Sequence, residues 1–143
     1  MKVLVVDGDA TLREGAVRAF AAAGHDALAA SDGLEAWKQV RDKDFDALFV
    51  AWDLAHLDGL ALVSLWQHVP HLRGKPIIML VDSGQLPQAR VWTQLTAGQA
   101  PEWDVLTKPC PPLLMVDVLA AAVSLTIRRS RGGIWWWAAT GSL

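Results

Sequence analysis

Five strand-length runs, each followed by a turn signal and a helix-period segment, constrain this chain most. Residues 2–6, Lys-Val-Leu-Val-Val, form the kind of continuous β-branched and leucine run expected of a strand covered on both faces. It ends at Asp7-Gly8-Asp9. Leu12, Ala16, Ala19, Phe20 and Ala23 then recur at helical spacing over residues 11–23, with Gly24 placed to cap the helix. Residues 26–30 (Asp-Ala-Leu-Ala-Ala) suit a helix as well as a strand on propensity. The alternation decides for a strand, because Ser31-Asp32-Gly33 opens a helix over 34–41. Leu48, Phe49 and Val50 make the third strand, and Asp58-Gly59 leads into an apolar stripe at Leu60, Leu62, Val63 and Trp66 that closes before Pro70. Residues 76–81 read as the fourth strand, Asp82-Ser83-Gly84 as a loop and residues 88–95 as a helix. Residues 105–107 form a short fifth strand before Lys108-Pro109, and Pro111-Pro112 opens a last long helix that ends near Arg129. Such alternation predicts an α/β fold with a doubly wound five-stranded parallel sheet and helices on both faces.

The length of 143 residues fits one domain of this kind, taken here as residues 1–131, with a tail at 132–143 that begins at Gly132-Gly133. Apolar residues make up 52% and charged residues 20%, which excludes a disordered chain. A net charge of -2 gives no whole-molecule attraction to nucleic acid or anionic lipid. One cysteine, Cys110, excludes an internal disulfide framework, and a cytoplasmic setting is expected. The N-terminus turns acidic at Asp7, unlike a signal peptide. The apolar run over 113–127 is broken by Asp117 and falls short of the roughly 20 residues of a membrane span. Trp is over-used, at eight against no Tyr.

Four pieces carry a resemblance: Val5-Val6-Asp7 after the first strand, Leu57-Asp58-Gly59-Leu60 after the third, Pro76-Ile77-Ile78-Met79-Leu80 as the fourth, and Thr107-Lys108-Pro109 after the fifth. In that order and spacing, the chain resembles the receiver domain of two-component response regulators over residues 2 to 130. The resemblance implies a flavodoxin-like, CheY-like sheet of order 2-1-3-4-5 and a cis Lys108-Pro109 bond. It also implies a chemistry: phosphoryl transfer from a histidine kinase to an Asp ending the third strand, with the carboxylate as nucleophile. Acids after the first strand hold Mg²⁺, the Lys of the Lys-Pro pair neutralises phosphoryl charge, and a Ser or Thr ending the fourth strand bonds the activated state.

The chain departs from that pattern at most of these places. Counting back seven residues from Asp58 puts Ala51 at the acceptor position, and a methyl group cannot attack phosphorus. The acidic pair reads Asp7-Gly8, with Asp9 one residue later. The hydroxyl position falls on Val81, with Ser83 two residues on, and the aromatic switch position falls on Val105. Between Gly98 and Lys108 the chain is about three residues longer than the family's usual connection. Asp53 is the one candidate for a displaced acceptor, but two residues of extended chain move it by roughly 6 to 7 Å, so a solvated loop acid is expected. If it did serve, Asp7, Asp9 and Asp53 would be the candidate Mg²⁺ ligands; otherwise no cofactor is expected.

Lys108 reads either as an anion-binding group or as the partner of Asp7 across the strand ends, and the second is preferred because the substitutions leave one acid and one base in one site. Trp52 is expected to lie over the pocket as a lid, and Cys110 to be a small buried residue. His25, His56, His68 and His71 lack ligand spacing.

The tail places Trp135, Trp136 and Trp137 in succession. Neighbouring residues point apart, yet each ring can bury about 150 to 250 Å², so the tail is expected to pack, on a second copy or partner or back on its own domain. In receivers the face made by the fourth helix, fifth strand and fifth helix is the usual docking and dimer surface; here Trp92, Trp103 and Val105 would frame it. Arg128, Arg129 and Arg131 suit a helix C-terminus without implying nucleic acid. With no helix-turn-helix after residue 131, no DNA-binding output is expected. The combined expectation is a pseudo-receiver: no enzyme, but a signalling domain acting by contact with a protein partner such as a histidine kinase or output protein. The rival readings are phosphorylation at Asp53 and small-molecule sensing in the vacated pocket, with Lys108 and Trp52 as contacts.

Overall fold

Strand β3 (Ala47–Ala51) lies at the centre of a five-stranded parallel sheet of order β2-β1-β3-β4-β5, with every one of its five side chains buried. The computed structural model describes residues 1–97 and 105–130, and their side chains except at 92–97 and 125–130. Around β3 stand β1 (Lys2–Val6), β2 (Asp26–Ala30), β4 (Ile77–Val81) and β5 (Val105–Thr107). The connecting helices are α1 (Ala10–Ala22), α2 (Gly33–Asp42), α3 (Gly59–His68), α4 (Leu86–Ala97) and α5 (Pro112–Ser130). Register follows from the parallel pairings Val5↔Ala29, Val5↔Phe49, Val50↔Met79 and Leu80↔Leu106. All five strands therefore end on one edge, where Asp7, Ala51, Val81 and Lys108 meet.

Alternating strand residues divide the core into two layers. Val3, Val5, Phe49, Ile78 and Leu80 face α1 and α5, meeting Ala16, Phe20, Met115 and Leu119. Leu4, Val6, Leu48, Val50, Met79 and Val81 face α2, α3 and α4, meeting Val40, Leu62, Val63, Trp66 and Ala89. Phe20 and Phe49 lie 5.3 Å apart in the first layer, and Phe45 and Trp66 6.3 Å apart in the second. Each such large side chain contributes about 1.5 to 3 kcal/mol relative to exposure.

Three helices start on an aspartate whose carboxylate accepts free N–H groups of the first turn: Asp9 from Thr11 at 2.9 Å, Asp32 from Glu35 at 2.8 Å and Asp58 from Ala61 at 2.8 Å. The fourth helix differs from its expected span. It begins at Leu86, two residues early, because Ser83–Gln85 forms a 3-10 turn rather than an open loop. The Gln85 side-chain oxygen accepts from the Asp82 N–H at 2.9 Å and pins that turn. Strand β2, ambiguous on propensity, is a strand because its backbone pairs with β1 along its whole length. The Lys108-Pro109 bond is cis.

Candidate functional site at the strand ends

The site is built from the first residues beyond β1, β3, β4 and β5. The Asp7 N–H donates to the Ala30 carbonyl at 3.2 Å, continuing the ladder past the strand and holding Asp7 at the edge. Its side chain is buried, 4% exposed. Lys108 is placed in the same way, its N–H donating to the Val81 carbonyl at 2.7 Å. Its Nζ then lies 2.5 Å from Asp7 Oδ2. That oxygen receives no hydrogen bond of good geometry, so the ammonium satisfies it by charge. Asp7 Oδ1 accepts from the Asp9 N–H at 2.9 Å, and Arg13 Nη1 donates to the Asp7 carbonyl at 2.8 Å.

Ala51 ends β3 with its methyl group 1% exposed. The β3/β4 ladder runs one bond further, the Trp52 N–H donating to the Leu80 carbonyl at 2.9 Å, and the Gly59 N–H donates to the Trp52 carbonyl at 3.3 Å. Gly59 is required here, since a Cβ would collide with the Ala51 carbonyl. Val81 is buried in the α2/α3/α4 layer and offers no hydroxyl. Gly8 is exposed, with open space where a side chain would stand.

Asp53 is exposed on the loop beyond Ala51, and its Oδ2 accepts from Gln85 Nε2. Gln85 therefore joins the β3–α3 loop to the turn that follows β4. The sequence reading missed this contact, although Asp82 followed three residues later by Gln85 is the spacing of a capping box. One expectation is corrected. Trp52 is no lid: its ring is half-buried and packs against the α2/α3/α4 layer, on the face that strand alternation already gives to Leu48 and Val50.

The acids do not assemble a divalent-cation site. Asp7 Oδ2 has the Lys108 ammonium, Asp9 Oδ1 caps α1 and Asp53 is held by Gln85. Among the described residues, no group of three or more His, Cys, Asp or Glu side chains is placed to hold a metal ion. The residues present thus do not fit the Mg²⁺ that the receiver pattern implies.

Cys110 is 9% exposed, and burial raises its thiol above the ordinary range, with Lys108 acting the other way. His25 lies 3.1 Å from the N-terminal amine, and desolvation followed by that charge lowers it. His68 and His71 bond the carbonyls of Ser64 and Lys43, at 2.7 and 3.2 Å, away from the site. Val105 is half-buried against the α2/α3/α4 layer. The Trp92 side chain and Trp103, Trp135, Trp136 and Trp137 lie outside what is described.

Residues 3–120 match the family described as the response regulator receiver domain. The chain belongs to that family. Two chemotaxis proteins are similar in sequence. The CheY homolog of Campylobacter jejuni is 32% identical over 121 residues, covering 83% of this chain and 89% of that protein. CheY1 of Helicobacter pylori is 31% identical, covering 83% and 94%. Among solved structures, the chemotaxis response regulator CheY4 of Vibrio cholerae superposes with a TM-score of 0.73 at 22% identity, over 85% of this chain and 97% of that one, a likeness of fold. The chain is thus a CheY-like receiver of two-component signalling. No helix among the described residues is long and apolar enough to cross a membrane.

Proposed function

We propose that this receiver signals without being phosphorylated and without bound Mg²⁺, is not an enzyme, and acts in the cytoplasm through contact with a protein partner. The observation that carries the reading is Ala51: the residue ending the central strand, where receivers hold their acceptor carboxylate, is a buried methyl group. The pairing of Lys108 with Asp7 supports it, because the base that would neutralise a phosphoryl group already has an acid within contact. The partner is a histidine kinase, an output protein or a second copy of this chain, meeting the face of α4, β5 and α5 or the tail. Val91 of α4 is 53% exposed.

A phosphoryl mimic tests the reading. Amide NMR spectra of the full chain are recorded with Mg²⁺ and then with beryllofluoride added. The expected result is unchanged shifts for Asp7, Trp52, Asp82 and Lys108; saturable, Mg²⁺-dependent shifts at those amides would contradict it. The rival acceptor, Asp53, is exposed and tethered to Gln85, and gains no support from its position.

A further inference from the structure

Helix α5 is largely apolar on both of its faces. Met115, Val118, Leu119 and Ala122 recur at helical spacing and pack into the core layer with β1, β3 and β4. The opposite face carries Leu113, Leu114, Asp117, Ala120, Ala121 and Ser124, all exposed, with Leu113 73% and Leu114 42% open to solvent. Asp117 is the one charged residue on it. The chain builds a different surface on α2, whose exposed residues include Glu35, Lys38, Arg41 and Asp42. A helix that is apolar all round is ordinarily covered, and contiguous exposed apolar surface marks a contact site.

The segment placed to cover that face follows α5 directly. The helix ends at Ser130, and the sequence runs on through Arg131, Gly132-Gly133, Ile134 and then Trp135, Trp136 and Trp137. Two successive glycines accept the backbone angles of a chain reversal that other residues resist. At about 1.5 Å per residue of helix, Ala121 lies about 13.5 Å and Leu113 about 26 Å before Ser130. At about 3.3 Å per residue of extended chain, Trp137 reaches back about 13 Å from Gly133 and Leu143 about 33 Å. The residues after the glycines are therefore long enough to run along the whole exposed face. Alternate residues of an extended chain point to one side, so Trp135 and Trp137 share a side and Trp136 takes the other. Ala120, Ala121 and Ser124 are small enough to receive large rings, and the Asp117 carboxylate and Ser124 hydroxyl can accept an indole N–H.

We infer that residues 134–143 fold back antiparallel to α5 and cover its exposed face, with Trp135 and Trp137 laid against Ala120, Ala121 and Ser124. The contact lies within one chain, because the covering segment is tethered to the helix it covers, and a short tether gives it an effective concentration that a second copy lacks. A partner that docks on this face of α5 must first displace the tail. That consequence rests on the contact role proposed above; the packing of the tail does not.

The test is NMR on the full chain with isotope-labelled alanine methyl groups. Nuclear Overhauser contacts from indole protons to the Ala120 and Ala121 methyls are expected. Trp137→Ser should abolish those to Ala121, and Trp136→Ser should retain them. A mixture of methyl-labelled chain carrying deuterated indoles with unlabelled chain separates the sources. The contacts should vanish from it if each tail covers its own helix; contacts that persist come from a second copy and overturn the assignment. Their absence from the natural chain, their survival in Trp137→Ser or their loss in Trp136→Ser would each overturn it too. Neither phosphorylation nor partner binding enters these contacts, so the outcome stands apart from the signalling reading.

Discussion

Lys108 and Asp7 form a partly buried pair in which each is the other's charged neighbour, at 2.5 Å. Removing one member of such a pair leaves the other as an uncompensated charge, which costs more than the pair contributes when intact. Lys108→Met is therefore expected to destabilise the chain by about 3 kcal/mol, and Lys108→Met/Asp7→Asn to recover much of that loss. Urea denaturation of both variants checks this; equal stability of the single and double variants would show that Asp7 does not need the ammonium. Cys110 gives a pH-dependent expectation. Burial raises its thiol, so between the unfolded and folded values it stays protonated in the folded chain while the unfolded chain ionises. Its contribution is whole below the ordinary thiol range and is lost as pH climbs through that range toward the folded value. Alkaline unfolding curves should accordingly steepen for the natural chain relative to Cys110→Ala, and an aromatic disulfide reagent should react slowly at neutral pH, with the rate rising on unfolding.

At the scale of elements, the loops after β3 and β4 are set by few contacts. Asp58 starts α3, and Asp58→Ala should cost about 1 kcal/mol in a denaturant titration, the ordinary loss of an N-cap. Gln85 holds both Asp53 and the Asp82 N–H, so Gln85→Ala should free the turn after β4. Hydrogen exchange should then speed at the Asp82 amide while the amides of β4 are unchanged; an unaltered Asp82 rate would remove Gln85 from this role. The elements themselves were legible in the sequence because apolar runs of strand length alternate with helix-period stripes. Even the ambiguous Asp-Ala-Leu-Ala-Ala run fell to strand by its place in the order. Trp52 lies with Leu48 and Val50 on the α2/α3/α4 layer instead of covering the site, a placement that the two-residue strand period already carried and the expectation of a lid overlooked. Long-range side-chain contacts were less legible. The Asp53–Gln85 bond joins residues 32 apart, beyond any local pattern, although the capping spacing of Asp82 and Gln85 was there to be read.

For the whole molecule, the sheet order and the cis Lys108-Pro109 bond agree with what the resemblance implied, and the pairing of Asp7 with Lys108 agrees with the sequence reading. Parallel register explains why so much of the site could be placed: in a sheet whose strands all end on one edge, the residue after each apolar run must lie at that edge. The residue ending β3 at that edge is Ala51, buried and without a nucleophilic atom. The most direct measurement is the intact mass of the full chain after incubation with acetyl phosphate and Mg²⁺, beside the Gly8→Asp/Ala51→Asp variant; Gly8 has open space for the second carboxylate. The natural chain is expected to remain unmodified and the variant to gain the mass of one phosphoryl group. A phosphoryl adduct on the natural chain, removed by Asp53→Asn, would contradict that expectation.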